Sequence, residues 1–410
     1  MALHLTRGSA IEYENILYGN MTPKMAAEYL REGRISVRSF SDTLKYMYPN
    51  DDLQDRLKSF YRENLPGEKP GSMNRKIQNW VSGRNHPTSR EDYFRIAFAL
   101  DLSEAQLNFL LGLCTDYAIQ YRDEREVVLA WFLRNGYSYR EALDFLSTLP
   151  PAIHRKPLTA GFALSSGKAA FETFFDDLPK EDRELSRIRT SERLEHGYTE
   201  VSRLTHEIRN DFQIVREPDD LRRCYLRNLG HFGQLHLRSY YYLLQYLRQL
   251  VHPSSIAGGN EDDEDDYSIE TVMKTYLALH MPTGKKLNNY SLVQKLIKHN
   301  WPNLTQLRRI LAQTEDVPRK LLMLLYIVTE NTDPQSDYSE LDEDYVSLEE
   351  RVEDHWWTLN ALLTECGMAT LDLRNAFDWL ILYAVSSDGE ESMSSRLEGV
   401  IEELYRNVKK

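Results

Sequence analysis

Apolar residues return at three- and four-residue spacing along most of this chain, while runs with the two-residue alternation of a half-buried strand are scarce. The pattern is plain in Ala26 to Leu30, Phe40 to Met47, Leu57 to Phe60, Ile77 to Val81, Tyr93 to Leu100 and Leu107 to Leu113. A 3.6-residue period gathers such residues into one stripe, which must be buried against another helix. The spacing therefore predicts an all-α fold.

At 410 residues the chain is longer than one hydrophobic core organises, so multi-domain helical bundles are expected. Leu149-Pro150-Pro151 closes a helical stretch that starts near Glu124, because proline lacks the N–H and biases its predecessor away from helical geometry. His154 to Lys168, rich in Pro, Gly, Ser and Thr, reads as a linker. Pro253 to Asp266 combines two glycines with six consecutive carboxylates and reads as a self-repelling, solvated linker, with an acidic mimic of nucleic acid as the alternative. The resulting division is 1–150, 151–253, an acidic linker at 254–270, and 271–410. A third acidic stretch, Asp333 to Glu350, follows the apolar helix around Leu321 to Val328. No period of 20 to 50 residues is visible, so a solenoid is not expected.

Several function classes are disfavoured. The first twenty residues lack the apolar core of a secretory signal, and Leu321 to Val328 falls well short of the ~20 residues a spanning helix needs. Cys114, Cys224 and Cys366 are too far apart for a disulfide framework or a short metal-ligand spacing, and read as buried free thiols of a reducing, cytoplasmic compartment. Phosphate-cradling Gly loops, serine elbows and zinc-helix signatures are absent. His231 and His236, five apart, do not share a helical face. The expectation is a non-enzyme without metal or cofactor, and without a membrane.

Charge is unevenly placed. The net charge is −13, yet residues 1 to 100 carry 15 Lys+Arg against 12 Asp+Glu, which leaves −16 for the remainder. Lys69 to Arg95 holds six basic and two acidic side chains. Electrostatic attraction acts within a Debye length of ~8 Å, so a local basic cluster can bind phosphates on an acidic chain.

The stretch from Gly71 to Leu111 has a readable grammar. Ser72 is placed to cap a short helix, Met73 to Val81, with Ile77, Trp80 and Val81 on its apolar face and Asn74, Arg75, Gln78 and Asn79 mainly off it. Gly83 stops it as a left-handed C-cap. Ser89 or Thr88 caps the next helix, in which Tyr93, Ile96, Ala97 and Leu100 fall at i, i+3, i+4 and i+7, and Ser103 opens another. Trp80, Ser82-Gly83-Arg84, Pro87-Thr88, Ile96-Ala97, Ala99-Leu100 and Ser103 resemble the back half of the phage-repressor-like (XRE) helix-turn-helix fold. Leu53 to Arg62 supplies a scaffold helix, while the usual small-residue turn is replaced by Asn64-Leu65-Pro66-Gly67-Glu68-Lys69-Pro70-Gly71. The likeness covers about 53–113.

That resemblance implies that Ser72 to Asn79 enters the major groove, where Asn74, Gln78 and Asn79 pair with adenine edges and Arg75 with guanine. Lys69, Lys76, Arg84 and Arg90 would hold phosphates, which position without specifying.

Elsewhere, Arg227 with His231 and Arg248 with His252 resemble the arginine–histidine pairs of HEPN-type helical ribonucleases, at a shorter spacing and without an adjoining acid. Tyr240, Tyr241, Tyr242 and Tyr246 read as core or an oligomer seam, and His355-Trp356-Trp357 and Phe377-Asp378-Trp379-Leu380 as the core of a C-terminal bundle, with a partner-binding groove second. The expected function is a DNA-binding transcriptional regulator whose other helices sense, oligomerise or hold a protein partner. A protein- or RNA-binding adaptor or defence-system subunit stands second and a helical ribonuclease third.

Overall fold

Local signals place the helices where the periodicity expects them. The computed structural model describes residues 5–151 except 68; 209–250 except 230, 231 and 233–236; 269–329 except 285–288, 300, 312 and 313; and 347–406 except 388–390. The first nine helices are α1 (Arg7–Tyr18), α2 (Pro23–Arg31), α3 (Phe40–Met47), α4 (Leu53–Asn64), α5 (Pro70–Val81), α6 (Arg90–Ala99), α7 (Glu104–Cys114), α8 (Glu124–Arg134) and α9 (Tyr139–Ser147). After them come α10 (Pro218–Arg227), α11 (Leu237–Leu250), α12 (Ile269–Val272, continued by a π-helical turn Met273–Leu277), α13 (Leu292–Lys298) and α14 (Leu304–Leu311). The last four are α15 (Arg319–Val328), α16 (Leu348–Glu365), α17 (Ala376–Val385) and α18 (Met393–Tyr405). Ser103, Ser138 and Ser291 close reciprocal capping boxes with Gln106, Glu141 and Gln294. The stretch expected from Glu124 to Leu149 is two helices, because Gly136 takes φ +75° between them.

The protein is all-α. Among the described residues strand pairing amounts to one isolated bridge, Tyr117 with Met368, and no helix is long and apolar enough to cross a membrane.

The buried side chains form two clusters that do not follow chain order. One is built from α3 to α9, joined by Phe212, Leu221, Cys224, Tyr225 and Phe232. The other is built from α11 to α18, joined by α1 and α2 through Tyr13, Ile16, Leu17, Ala26, Ala27 and Leu30. The division expected after 150 and 253 therefore separates residues that share a core. Its physical reason lies in distant contacts: Tyr29 stacks on Trp379 at 5.4 Å, and the Tyr383 hydroxyl donates to the Met21 carbonyl at 2.6 Å. Both proposed linkers, His154 to Lys168 and Pro253 to Asp266, lie outside the described residues, as does most of the acidic stretch before Glu350.

The chain also repeats itself. In α6 to α8, the Arg90 guanidinium forks onto the Glu126 carboxylate and donates to the carbonyls of Tyr117 (2.8 Å) and Ala118 (2.6 Å). In α15 to α17, Arg319 forks onto Asp378 (2.6 and 2.8 Å) and donates to the carbonyls of Ala369 (2.8 Å) and Thr370 (3.3 Å). Asn108 Oδ1 accepts from the Ile119 N–H at 2.9 Å, and Asn360 Oδ1 from the Leu371 N–H at 2.7 Å. The Glu126 carboxylate accepts from Gln120 N–H (2.8 Å), and that of Asp378 from Asp372 N–H (2.9 Å). Asp123 and Asn375 cap the third helix of each set. The arginines stand 229 positions apart, and each of the other pairs stands 252 apart.

This correspondence extends to whole elements. Helices α4 to α9 and α13 to α18 follow one another in the same order, with five residues (65–69 and 299–303) between the first two helices of each set. The Tyr117–Met368 bridge is antiparallel and joins the same loop of both sets. Under the 252-residue correspondence Tyr117 matches Ala369 and Asp116 matches Met368, so exchanging the sets turns the bridge into its antiparallel neighbour. Equivalent segments paired in this way are related by a local two-fold axis.

Candidate nucleic-acid interface

The site is built on α4 and α5. Leu53, Leu57 and Tyr61 face inward from α4, and Met73, Ile77 and Trp80 from α5, with the Tyr61 and Trp80 rings 6.0 Å apart. Tyr61 donates its hydroxyl to Asp92 Oδ1 at 3.0 Å, which ties α4 to α6; burial, then the Asp92 charge, push that hydroxyl well above the ordinary tyrosine range. The carboxyl-terminal end of α5 is held by α3, where Ser41 Oγ donates to the Val81 carbonyl at 2.6 Å. One face of α5 is thereby fixed by packing and by the bond from α3 at its carboxyl-terminal end.

The opposite face is open. Asn74, Arg75, Lys76 and Gln78 are exposed, and Asn79 is half-buried at its edge. Lys69 before the helix and Arg84 after it are also exposed. Among the described residues none of the ion pairs engages Lys69, Arg75 or Arg84.

Arg90 is placed differently from the phosphate-holding role that the resemblance implied. It is half-buried, and all its donors are spent on Glu126, Thr115 Oγ1 (2.9 Å) and the two loop carbonyls. Arg95 is likewise committed, to Asp92 (2.9 Å), Glu91 (3.0 Å) and the Tyr139 hydroxyl (3.2 Å). Burial raises the Glu91 carboxyl, but donation from Arg125, Tyr139 and Arg95 outweighs it and holds the group below its ordinary range. Of the eight charged side chains from Lys69 to Arg95, Arg90 and Arg95 thus turn inward, as do Glu91 and Asp92 with them. Lys69, Arg75, Lys76 and Arg84 remain outside, so the same net charge of the segment is presented outward by basic side chains alone.

Two further local expectations change. Helix α5 begins at Pro70, with Lys69 at the cap position and its carbonyl accepting from the N–H groups of Ser72 (3.0 Å) and Met73 (3.2 Å). Ser72 is therefore inside the first turn and does not cap it, because proline at the first helical position supplies a helical φ and needs no donor. Gly83 does take φ +75°, as a left-handed stop requires, and a Cβ there would meet Ser41 Cβ at 3.4 Å. Gly83→Ala is expected to cost about 1–2 kcal/mol, read from the midpoint of urea unfolding. An unchanged midpoint would mean that α5 ends without this turn.

Among the described residues the remaining sequence candidates do not assemble into a site. Arg227 is exposed and pairs with Asp211, while His231 and His252 lie outside the described residues. His355 is buried against the Tyr326 hydroxyl at 2.6 Å, Trp356, Phe377, Trp379 and Leu380 are core, and Trp357 is half-exposed. Tyr246 is buried and Tyr242 donates to Glu365 at 2.6 Å. Among the described residues no three His, Cys, Asp or Glu side chains gather as a metal site.

What the sequence reading missed is the support of the interface: Ser41 on the end of α5, and Asp92 beneath Tyr61. Both act over more than thirty residues of chain, and nothing in the local pattern marks them. Comparison with protein-family models, curated proteins and solved structures gives no match to this chain.

Proposed function

We propose that this protein is a sequence-specific duplex-DNA-binding regulator that acts by occupying its site, without catalysis or cofactor. The observation that carries the reading is the outward face of α5. Amide side chains and an arginine, which suit base edges, lie between basic residues at both ends of a helix whose other face is locked in the core. Asn74, Arg75, Gln78 and Asn79 read bases, and Lys69, Lys76 and Arg84 neutralise phosphates.

Each phosphate contact releases condensed counterion and adds about 0.9 to the slope of log affinity against log salt. With the full chain, Lys69→Ala, Lys76→Ala and Arg84→Ala are each expected to make that slope shallower by about 0.9 while leaving sequence preference intact. Slopes identical to the unaltered chain in all three variants would remove this face from the interface.

A further inference from the structure

We infer that the chain carries a second DNA-reading helix, α14, so that one polypeptide presents two dyad-related reading heads to a bipartite duplex site. This rests on the DNA-binding reading of α5 and extends it to a surface that the sequence pattern did not indicate.

The repeat assigns the place. Helix α13, capped by Ser291, corresponds to the scaffold α4, and α14 corresponds to α5 after an equal five-residue turn. Their faces agree in register. Ile77, Trp80 and Val81 of α5 match Leu307, Ile310 and Leu311 of α14, each pair 230 positions apart, and all three residues of α14 are buried. The outward positions Arg75, Gln78 and Asn79 then match Thr305, Arg308 and Arg309, all three of which are exposed.

Arg308 pairs with Glu270 and Arg309 with Glu315 (2.9 Å), but both arginines are more than half exposed. Solvent-exposed pairs of this kind are weak and exchange readily for other acceptors. Lys320 holds the base of the unit: its ammonium donates to the carbonyls of Leu296 (2.9 Å) and Ile297 (3.0 Å) and to that of His299, at the end of α13.

The occupant follows from symmetry and side-chain chemistry together. A duplex offers two backbone-equivalent half-sites related by a dyad, and paired reading helices related by a dyad fit it with half-sites separated by whole helical turns. The reading residues of the two heads differ, so the two half-sites differ as well. The first head has amides suited to adenine and one arginine, and the second has adjacent arginines suited to guanine. The site is bipartite but not a palindrome.

The test is selection of a randomised duplex pool of about 40 bp by the full chain, followed by footprinting of the enriched duplex with two variants. The expected site has two unlike halves, the second rich in guanine. Arg308→Ala with Arg309→Ala is expected to release protection of the guanine-rich half alone and to weaken binding roughly 10- to 100-fold. Arg75→Ala with Asn79→Ala is expected to release the other half. All four positions lie on outer faces, so both variants should keep the unaltered thermal midpoint, and a variant that does not is replaced by the paired Arg→Lys change, which retains charge and loses the bidentate fork. A single protected half, with the α14 variant binding like the unaltered chain, would overturn the second head and leave the first in place. Failure of the full chain to enrich or bind any duplex would overturn both.

Discussion

Arg319→Met is expected to destabilise the folded chain by about 3–5 kcal/mol, the largest effect of any single polar substitution considered for this fold. The side chains of Arg319 and Asp378 are 8% and 2% exposed, and the guanidinium holds two carbonyls of the loop between α16 and α17 in addition to the carboxylate. Removing the cation leaves Asp378 charged and buried, with the Asp372 N–H as one remaining donor. A buried charge stripped of its partner costs more than the pair contributes, so Arg319→Met with Asp378→Leu should recover much of the loss. Equilibrium unfolding in urea reads both, and the coupling between the two sites follows from the double-mutant cycle. A loss below about 1 kcal/mol for the single change would show that the pair does not organise this loop. Arg90→Met should behave similarly but more mildly, since Arg90 is 26% exposed.

Arg75→Ala combined with Asn79→Ala is expected to weaken specific duplex binding on the order of 100-fold and to leave non-specific binding nearly unchanged. Each bidentate base contact is worth about 1–3 kcal/mol of discrimination, whereas phosphate contacts supply the sequence-independent part. Neither side chain has a partner in the core: Arg75 is exposed, and Asn79 sits at the edge of the buried face defined by Met73, Ile77 and Trp80. Fluorescence anisotropy with the selected duplex and with a scrambled duplex of equal length separates the two contributions. Equal loss on both duplexes would assign these residues to the backbone and not to the bases.

How far the sequence reveals these features depends on the range over which each is determined. Helices α3 to α7, the stop at Gly83 and the cap at Ser103 are set by residues within one or two turns, and periodicity and capping chemistry expose them directly. Pro70 displaces Ser72 as the start of α5, a competition between two legitimate local signals. Arg90 reads as a free base until Glu126, thirty-six residues on, closes around it. The packing of α1 and α2 onto α17 and α18 is of the same kind, and it means that a fragment ending near Pro150 would expose Ala26, Ala27 and Leu30, which are fully buried in the whole chain.

The repeat is hidden for another reason. It rests on few side chains, chiefly Arg90 and Arg319, Asn108 and Asn360, and Glu126 and Asp378, whose equivalence lies in the bonds they make with backbone. Between them the core is filled by different residues of suitable size: Trp131, for instance, stands where the correspondence puts Tyr383. Cores tolerate such exchange when volume and patterning are kept, so sequence likeness decays while the arrangement survives.

Duplex-DNA binding by the outward face of α5 is read by titrating the full chain against the duplex pool at about 50 mM and about 200 mM salt. Binding at the lower salt is expected to weaken on the order of 50-fold at the higher, as three released phosphate contacts require. No binding to duplex at the lower salt would contradict it, and would point to this helix as a surface for a protein partner.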